Sequence, residues 1–488
     1  VYDIWIQQKD LTGGGAGLFG ITMPSLGGEP LGLKEYLYLL LGLNVVVFLM
    51  LRQLVDRSRW GRALLAVRDA EPAARAVGIH PFMVRESALA LSAFLAGLAG
   101  ALFPPLPGLI NPESFPIIDS IFFLLAVLAG GMGTVAGPVV GTVVLFSLPQ
   151  ILAEQEGLRK YSFLVYGVLL LLLVIFLPEG MVGGIRRLWY SLLRRRGLLD
   201  APAALRIVPE AGVPEPADLA AGPALAYMSR NGASPQEWAL EAEEITIRFG
   251  DVVALREVTV RIRPETVHAI IGPNGSGKTT LLNVISGFYA QDKGQVRVFG
   301  RRFPRGASTR GIRYGMARTF QSQLVLPQLS VAENVMLGCH AWGRVGWLRG
   351  MLPLPAAWRE RRRMRETALD CLDLVGLGRG VAELPCGQLP FAHQRLVEIA
   401  RTLAGRPRIL LLDEPASGLH ADEVAAFVRL VRRLKAGGLT VVLVEHNFGL
   451  VSELADTITV LDAGVKLAEG DFDSVRHDGR VVEAYLGV

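Results

Sequence analysis

The stretch Gly272-Pro273-Asn274-Gly275-Ser276-Gly277-Lys278-Thr279-Thr280 decides the fold of the second half of this 488-residue chain. It follows Val267–Ile271, a short apolar run typical of a buried strand. Its glycines let backbone N–H groups turn around phosphate oxygens at the start of a helix. Lys278 adds positive charge toward the β and γ phosphates, and the Thr279 hydroxyl is suited to Mg²⁺. The stretch predicts an α/β domain that binds a nucleoside triphosphate.

Two further apolar runs end in side chains suited to phosphoryl transfer. Ile409–Leu412 leads into Asp413 and Glu414, and Val441–Val444 leads into Glu445 and His446. The carboxyl ends of parallel strands meet at one edge of a sheet, where ligands collect. We expect Asp413 to hold Mg²⁺ and Glu414 to activate the attacking water. His446 is expected near the γ-phosphate.

The first half of the chain has the composition of a membrane domain. Apolar residues make up 51% of the chain and charged residues only 19%, below the roughly 25% typical of soluble proteins. Runs without charge cover 36–51, 87–112, 120–153 and 161–178. The third run is too long for one crossing of about 20 residues and contains the glycine-rich stretch 130–138, so we expect it to turn there. The prediction is about five spans.

Charge and cysteine content bear on the partners of the protein and on its orientation in the membrane. A net charge of +5 is explained by basic loops at a membrane surface and does not require nucleic acid. Arginines cluster between the first two spans and again after 186, which places both regions in the cytoplasm. The three widely spaced cysteines predict neither a disulfide framework nor a zinc site. A GxGxxG match at 15–20 follows no strand, so we interpret it as a flexible loop and not as a dinucleotide site.

Composition also predicts the domain boundaries. We assign 1–197 to the membrane domain with a cytoplasmic loop at 52–86, 198–240 to an Ala/Pro-rich linker, and 241–488 to the nucleotide domain with a helical subdomain at about 324–402. Because the chain begins at Val1 next to an apolar span, we expect N-terminal spans of the membrane domain to be missing.

Residues 241–488 resemble the ATP-binding subunit of an ABC transporter. The resemblance implies ATP and Mg²⁺ as cofactors, Gln321 as the glutamine of the Q-loop and a Mg²⁺ ligand beside Thr279 and Asp413, and His446 as the switch histidine. It further implies that Phe249 stacks on adenine and that Ala416, Ser417, Gly418, Leu419 and His420 form the D-loop. Arg318–Gln321 and the ending 482–487 are similar to the branched-chain amino acid uptake branch.

The signature loop departs from the family pattern. Counted back from Glu398 without gaps, the family's LSGGQ falls on Leu389, Pro390, Phe391, Ala392 and His393, whereas the similar Cys386-Gly387-Gln388 would need an insertion. In the family this loop contacts the γ-phosphate bound by the opposite subunit. Proline offers no N–H and alanine adds a methyl group. We expect the chain's own site to be complete and the site that it completes for a partner to be weaker.

The membrane half resembles a branched-chain amino acid permease. The resemblance rests on residues 11–14, 130–138 and 178–180, and on a cytoplasmic segment that contains Glu71, Ala73, Ala74 and Gly78. In the family such a segment couples the permease to a groove beside the Q-loop. The alternative is an amphipathic helix lying at the membrane surface.

Together these features predict a fused permease and ATPase of an ABC importer in the bacterial inner membrane, with its ATPase domain in the cytoplasm. The implied partners are a second permease subunit, a second ATPase subunit, a periplasmic binding protein and membrane lipid. Branched-chain or hydrophobic amino acids are the expected substrate, with urea or short amides as the alternative. An ABC exporter and a membrane-anchored ABC ATPase without transport function are the rival classes.

Overall fold

The computed structural model describes residues 14–111, 114–154, 180–195, 237–322 and 324–486, with a few isolated positions besides. The chain divides into two compact units. One comprises Val1–Val55 and Ala88–Val208, and the other comprises Asp56–Ser87 and Pro209–Val488. The loop that joins the first two apolar helices therefore belongs to the same unit as the nucleotide domain.

The first unit is built from apolar helices and very short strands. In chain order its elements are β1 (Leu18–Phe19), β2 (Ser25–Leu26), β3 (Glu29–Pro30), α1 (Leu33–Arg52), α4 (Pro81–Leu102), which begins in the second unit, β4 (Leu109–Ile110), α5 (Ile117–Gly130), α6 (Ala136–Glu154) and α7 (Gly180–Arg195). The loop between α1 and α4, which belongs to the second unit, forms α2 (Arg59–Asp69) and α3 (Glu71–Ala76). Within the described residues, two stretches are long and apolar enough to cross a membrane, Leu33–Arg57 and Pro81–Leu102. The Tyr36 hydroxyl donates to the Leu102 carbonyl at 2.7 Å, which ties α1 to the end of α4.

The glycine-rich stretch forms the expected turn between α5 and α6. Gly131 has a φ of +122°. The Thr134 hydroxyl donates to the Gly131 carbonyl at 3.1 Å and accepts from the Gly137 N–H at 3.0 Å. A Cβ on Gly141 would lie 1.8 Å from the Ala126 carbonyl oxygen, so the two helices pack backbone to backbone. Such close approach is typical of helices in membranes.

The second unit contains two sheets and a helical region. Its strands are β5 (Leu240–Phe249), β6 (Val252–Ile262), β7 (Val267–Ile271), β8 (Lys293–Val298), β9 (Arg301–Phe303), β10 (Met316–Arg318), β11 (Ile409–Asp413), β12 (Thr440–Val444), β13 (Thr457–Asp462) and β14 (Val465–Gly470). Its helices after α7 are α8 (Lys278–Ile285), α9 (Val331–Met336), α10 (Trp347–Gly350), α11 (Pro355–Leu374), α12 (Phe391–Ala404), α13 (Ala421–Ala436), α14 (Phe448–Leu454), α15 (Phe472–Arg476) and α16 (Gly479–Leu486).

The six-stranded sheet has the order β10-β11-β12-β7-β13-β14, and its first five strands are parallel. Every residue of β7, β11 and β12 is buried, as expected of strands that are covered on both faces. The second sheet, β6-β5-β8-β9, is antiparallel. Because β7, β11 and β12 are neighbours, the side chains that follow them lie at one edge of the sheet.

Several of the predictions made from sequence can be compared with this fold. The strand, loop and helix at 267–285, the strands before Asp413 and Glu445, and the turn at 130–138 are confirmed. The uncharged run 161–178 and most of the 198–240 linker lie outside the described ranges. The interpretation of 15–20 as a flexible loop was wrong, since β1 pairs with β4, and Gly17, with a φ of +80°, leaves room for the Ile110 carbonyl. The three cysteines are free and buried.

Candidate nucleotide site

The phosphate-binding loop connects β7 to α8. Its turn depends on two glycines: Gly272 has a φ of +152° with the Leu461 carbonyl 2.1 Å from a Cβ position, and Gly277 has a φ of +99°. Lys278 is buried and its Nζ donates to the carbonyls of Gly272 and Pro273, both at 2.8 Å. Burial lowers the pKa of Lys278, while the charges of Glu414 and Asp413 oppose that shift. The loop thus gathers a positive charge and backbone N–H groups at one helix start.

Asp413 lies at the end of β11 and is almost fully buried. Its Oδ2 accepts from Arg318 Nη2 at 2.8 Å, and Arg318 Nη1 also donates to Asn283 and Ser286 on and beside α8. Burial raises the pKa of Asp413, and Arg318 opposes that effect. Asp413 Oδ1 is buried with no hydrogen-bond partner among the described residues, and the same holds for the Ser276 hydroxyl in the loop. An uncompensated carboxylate oxygen beside a phosphate loop fits a Mg²⁺ site.

Glu414 adopts a left-handed backbone conformation with a φ of +45°. Its N–H donates to the Val444 carbonyl at 2.9 Å, which links the ends of β11 and β12. Gln321 Nε2 donates to Glu414 Oε2 at 2.8 Å, and His446 Nδ1 lies 4.0 Å from the same oxygen. The three residues predicted as catalytic therefore meet around one carboxylate oxygen. Strained backbone at such a position is typical of functional sites.

The loop after Glu414 is fixed by a second, buried carboxylate. Glu445 follows β12, and its Oε1 accepts from the Ala416 N–H at 3.1 Å while Oε2 accepts from the His446 N–H at 3.2 Å. Burial raises the pKa of Glu445 and these N–H groups lower it. The segment 416–420 then continues into α13, where the His420 N–H donates to Glu423. Glu445 thus joins the expected D-loop to the expected switch histidine.

Helix α12 holds the end of β11 and the Q-loop together through a buried ion cluster. Glu398 is fully buried and accepts from Arg395 Nη1 at 2.9 Å and from the Phe320 N–H at 3.2 Å. Arg395 also donates to the carbonyls of Phe320 and Glu414, the latter at 3.0 Å. Arg401 Nη2 lies 3.7 Å from Glu398, and its Nη1 donates to the Leu324 carbonyl at 2.6 Å. The sequence alone predicted no role for this cluster.

The residues at the expected signature positions form the start of α12. Leu389 is buried, Pro390 caps the helix, and Phe391 is 52% exposed. The competing Cys386–Gln388 forms a separate 3₁₀ turn in which Cys386 is fully buried and Gly387 packs against Pro327. The ring of Phe391 lies 3.1 Å from a Cβ position on Gly418. This arrangement favours the gapless register.

Phe249 lies at the end of β5, in the antiparallel sheet and not in the sheet that carries Asp413. It is 47% exposed, and its ring stands edge to face with Tyr289 at 5.3 Å between centroids. An exposed aromatic ring of this kind offers a face for stacking.

The loop 52–86 docks on the segment that follows Gln321. Ala63, Ala66 and Ala74 of α2 and α3 share a buried cluster with Leu326, Leu329 and Leu337. Gly78, with a φ of +84°, brings its backbone against Ile312, whose Cγ2 would lie 2.8 Å from a Cβ. Glu71 instead pairs with Arg75 and Arg85 on its own loop. Burial of this loop against protein argues against a helix lying on the membrane surface.

Arginines of the loop 52–86 also take part in its docking on the nucleotide domain. Arg59 donates to the carbonyls of Val345 and His340 at 3.0 and 2.9 Å. The Trp60 indole N–H donates to the Val345 carbonyl at 3.1 Å. Arg62 is buried against Met364, and burial lowers its pKa to about 10. The alanines and Trp60 that lie between these arginines could have indicated from sequence that the loop packs against protein.

Known proteins resemble both halves. Residues 255–417 match the ABC transporter family, and residues 6–174 match the branched-chain amino acid transport system permease component. The high-affinity branched-chain amino acid transport ATP-binding protein BraF of Pseudomonas aeruginosa is 36% identical over 249 residues, which cover 51% of this chain and 97% of BraF. The chain belongs to the ABC transporter family. This ABC transporter chain is a membrane protein with a permease domain followed by an ATPase domain, and it couples ATP hydrolysis to transport.

Two further matches to this ABC transporter chain concern its second half. LivG of Escherichia coli K12, another high-affinity branched-chain amino acid transport ATP-binding protein, is 32% identical over 249 residues and is covered to 97%. A crystal structure of an ABC transporter cassette in its ADP conformation has 32% identity and a TM-score of 0.45, with coverage of 51% of this chain and 99% of the cassette.

Proposed function

We propose that this chain drives import of branched-chain or other hydrophobic amino acids across the bacterial inner membrane as a fused permease and ATPase subunit. One observation carries the proposal: α2 and α3 of the permease loop share a buried cluster with Leu326 and Leu329, a few residues beyond Gln321, which itself bonds Glu414. Movement at the carboxylate of Glu414 would thus reach the permease loop through the segment that follows Gln321.

The roles proposed for the site residues follow from their contacts. The loop 272–280 cradles the phosphates of ATP, Thr279, Asp413 and Gln321 would hold Mg²⁺, and Phe249 offers a stacking face for adenine. When bound, Mg²⁺ would neutralise phosphate charge. Glu414 accepts the proton of the attacking water, Gln321 orients Glu414, and His446 contacts the γ-phosphate. The segment 389–393 would complete the site of a partner ATPase.

The importer needs partners that one chain does not supply. A single phosphate loop and one permease domain imply a second ATPase subunit, a second permease subunit and a periplasmic binding protein that selects the ligand. The names of BraF and LivG, and the permease match, favour branched-chain amino acids over urea or short amides. The ATPase domain would face the cytoplasm, since the docked loop and the segment after 186 are both rich in arginine.

Replacing Gly78 by alanine tests the coupling route. The new Cβ would meet Ile312 at 2.8 Å in a left-handed conformation that costs an L-residue about 1–2 kcal/mol. We expect leucine uptake by proteoliposomes of the assembled transporter to fall by about tenfold or more, while ATP binding is retained. Uptake is measured with radiolabelled leucine and a saturating binding protein.

Gly376→Ala is the matched control. Gly376 has a φ of +85°, close to that of Gly78, but no atom lies within 4 Å of its Cβ position. The Gly376→Ala protein should have a lower free energy of unfolding but the same leucine uptake as the unmodified transporter. Equal uptake by the Gly78→Ala protein and the unmodified transporter would contradict the proposed route, and failure of the unmodified transporter to take up leucine would contradict the substrate class.

A further inference from the structure

An exposed patch of mixed apolar and basic character lies beside the docked loop. We define the Trp358 patch as Leu348, Arg349, Leu352, Trp358, Arg359 and Arg362. Leu348, Leu352 and Trp358 are 62%, 42% and 59% exposed. Residues 343–366 contain seven arginines and only two glutamates. Among the described residues, none of the six belongs to the phosphate-binding loop, to the buried cluster of the docked loop or to the hydrogen-bond partners of Arg59, Trp60 and Arg62.

Contacts within the second unit place the patch next to the end of a membrane span. The first candidate span runs to Arg57. Arg361, one turn from Trp358 on α11, donates through Nη1 to the Arg57 carbonyl at 3.3 Å. A Cβ on Gly350 would lie 3.4 Å from Ser58 Cβ. Trp358 lies three residues before Arg361 on α11, and Leu352 lies two residues after Gly350, so the patch adjoins both contacts with that span end.

The patch is basic because the seven arginines of 343–366 outnumber the two glutamates, which have partners of their own. Glu360 accepts from the backbone N–H groups of Arg344 and Val345 at 2.7 and 3.0 Å, and Glu366 pairs with Arg362 at 3.0 Å. Trp358 and Arg362, four residues apart, share one face of α11, while Met364 and Ala368 are buried on another. Tryptophan, leucine and arginine together are typical of segments that lie at a membrane interface.

We propose that the Trp358 patch contacts the anionic lipid headgroups of the leaflet that faces the ATPase domain. The headgroup region extends about 5–8 Å beyond the hydrocarbon on each side, which is within reach of arginine and tryptophan side chains so close to a span end. The contact anchors the helical region against the membrane beside the docked loop. This inference rests on the proposed function, because it requires Leu33–Arg57 to cross the bilayer.

Site-directed labelling of the full chain tests the contact. The native cysteines are buried, and burial raises the pKa of Cys371 to about 12 and of Cys386 to about 11, so an added surface cysteine labels selectively. Leu352→Cys is labelled with the fluorophore NBD in nanodiscs of equimolar phosphatidylcholine and phosphatidylglycerol, with or without headgroup-nitroxide lipid. Val482→Cys is the matched control, since Val482 is also 42% exposed. Arg57→Cys marks the span end.

We expect the nitroxide lipid to quench the labels at 352 and 57 to a similar extent and to leave the label at 482 unchanged. Replacing Arg349 and Arg359 by glutamine should weaken the attachment by up to about fivefold per arginine and reduce the quenching. If the label at 57 is quenched and the label at 352 is not, the proposed lipid contact is wrong while the proposed membrane function stands. No quenching at 57 overturns the proposed membrane function. Quenching at 352 that is equal in discs of phosphatidylcholine alone, or lost when partner subunits assemble, overturns the lipid assignment.

Discussion

Glu414→Gln is expected to lower ATP turnover at the chain's own site by about 10²–10⁴-fold while ATP still binds. The substitution removes the proton acceptor but keeps the size of the side chain and an oxygen that accepts from Gln321 Nε2, now at 2.8 Å from Glu414 Oε2. Lys278 and the loop glycines are unchanged. Steady-state phosphate release and binding of a fluorescent ATP analogue separate the two effects.

Glu469→Gln is the control for the loss of a carboxylate. Glu469 lies on β14, at the surface, and pairs with Lys466 at 2.9 Å. It is not one of the predicted site residues. It should leave turnover unchanged. If Glu414→Gln keeps most of the turnover of the chain alone, Glu414 is not the hydrolytic residue.

Glu414→Gln also tests whether the chain's own ATP site is more active than the site that the chain completes for a partner subunit. Pro390 and Ala392 at the start of α12 make the partner's site the weaker one if they contact its nucleotide. Turnover of the assembled transporter should then fall almost completely with Glu414→Gln. Retention of about half of the turnover would mean that both sites hydrolyse ATP equally.

The parts of this fold that were predictable from sequence have local physical causes. A phosphate loop needs glycines at fixed positions, a strand before it and a helix after it, and all three are neighbours in the chain. The acids after β11 and β12 were predictable because parallel strands present their carboxyl ends at one edge. The turn between α5 and α6 was predictable because the uncharged run 120–153 is too long to cross a membrane once and contains the glycine-rich stretch 130–138.

The parts that were missed depend on residues far apart in the chain. Arg59 and Arg62 were interpreted from charge alone, but their partners lie more than 280 residues away, at His340, Val345 and Met364. A basic loop at a membrane surface and a basic loop buried against protein have the same composition. Likewise, nothing in the local pattern of α12 showed that its arginines would meet the Q-loop and the end of β11.

The buried cluster on α12 leads to the second large effect, on stability. Glu398→Ala would leave Arg395 and Arg401, each about 3% exposed, without their shared carboxylate. Removing one partner of a buried ion pair costs about 3–5 kcal/mol, since the remaining charge stays buried and uncompensated. Burial already lowers the pKa of Arg401, and Glu398 is the main group that opposes this shift.

We therefore expect Glu398→Ala to lower the free energy of unfolding of the ATPase domain by about 3–5 kcal/mol, as measured by urea denaturation of the full chain in nanodiscs. Glu366→Ala is the control: its carboxylate is paired with Arg362 on a helix surface, where such a pair contributes about 0.3–0.5 kcal/mol. Because Arg395 also holds the carbonyls of Phe320 and Glu414, the weakened domain should first lose the hydrogen bond between Gln321 and Glu414. A Glu398→Ala protein as stable as the control would show that the cluster does not organise the site.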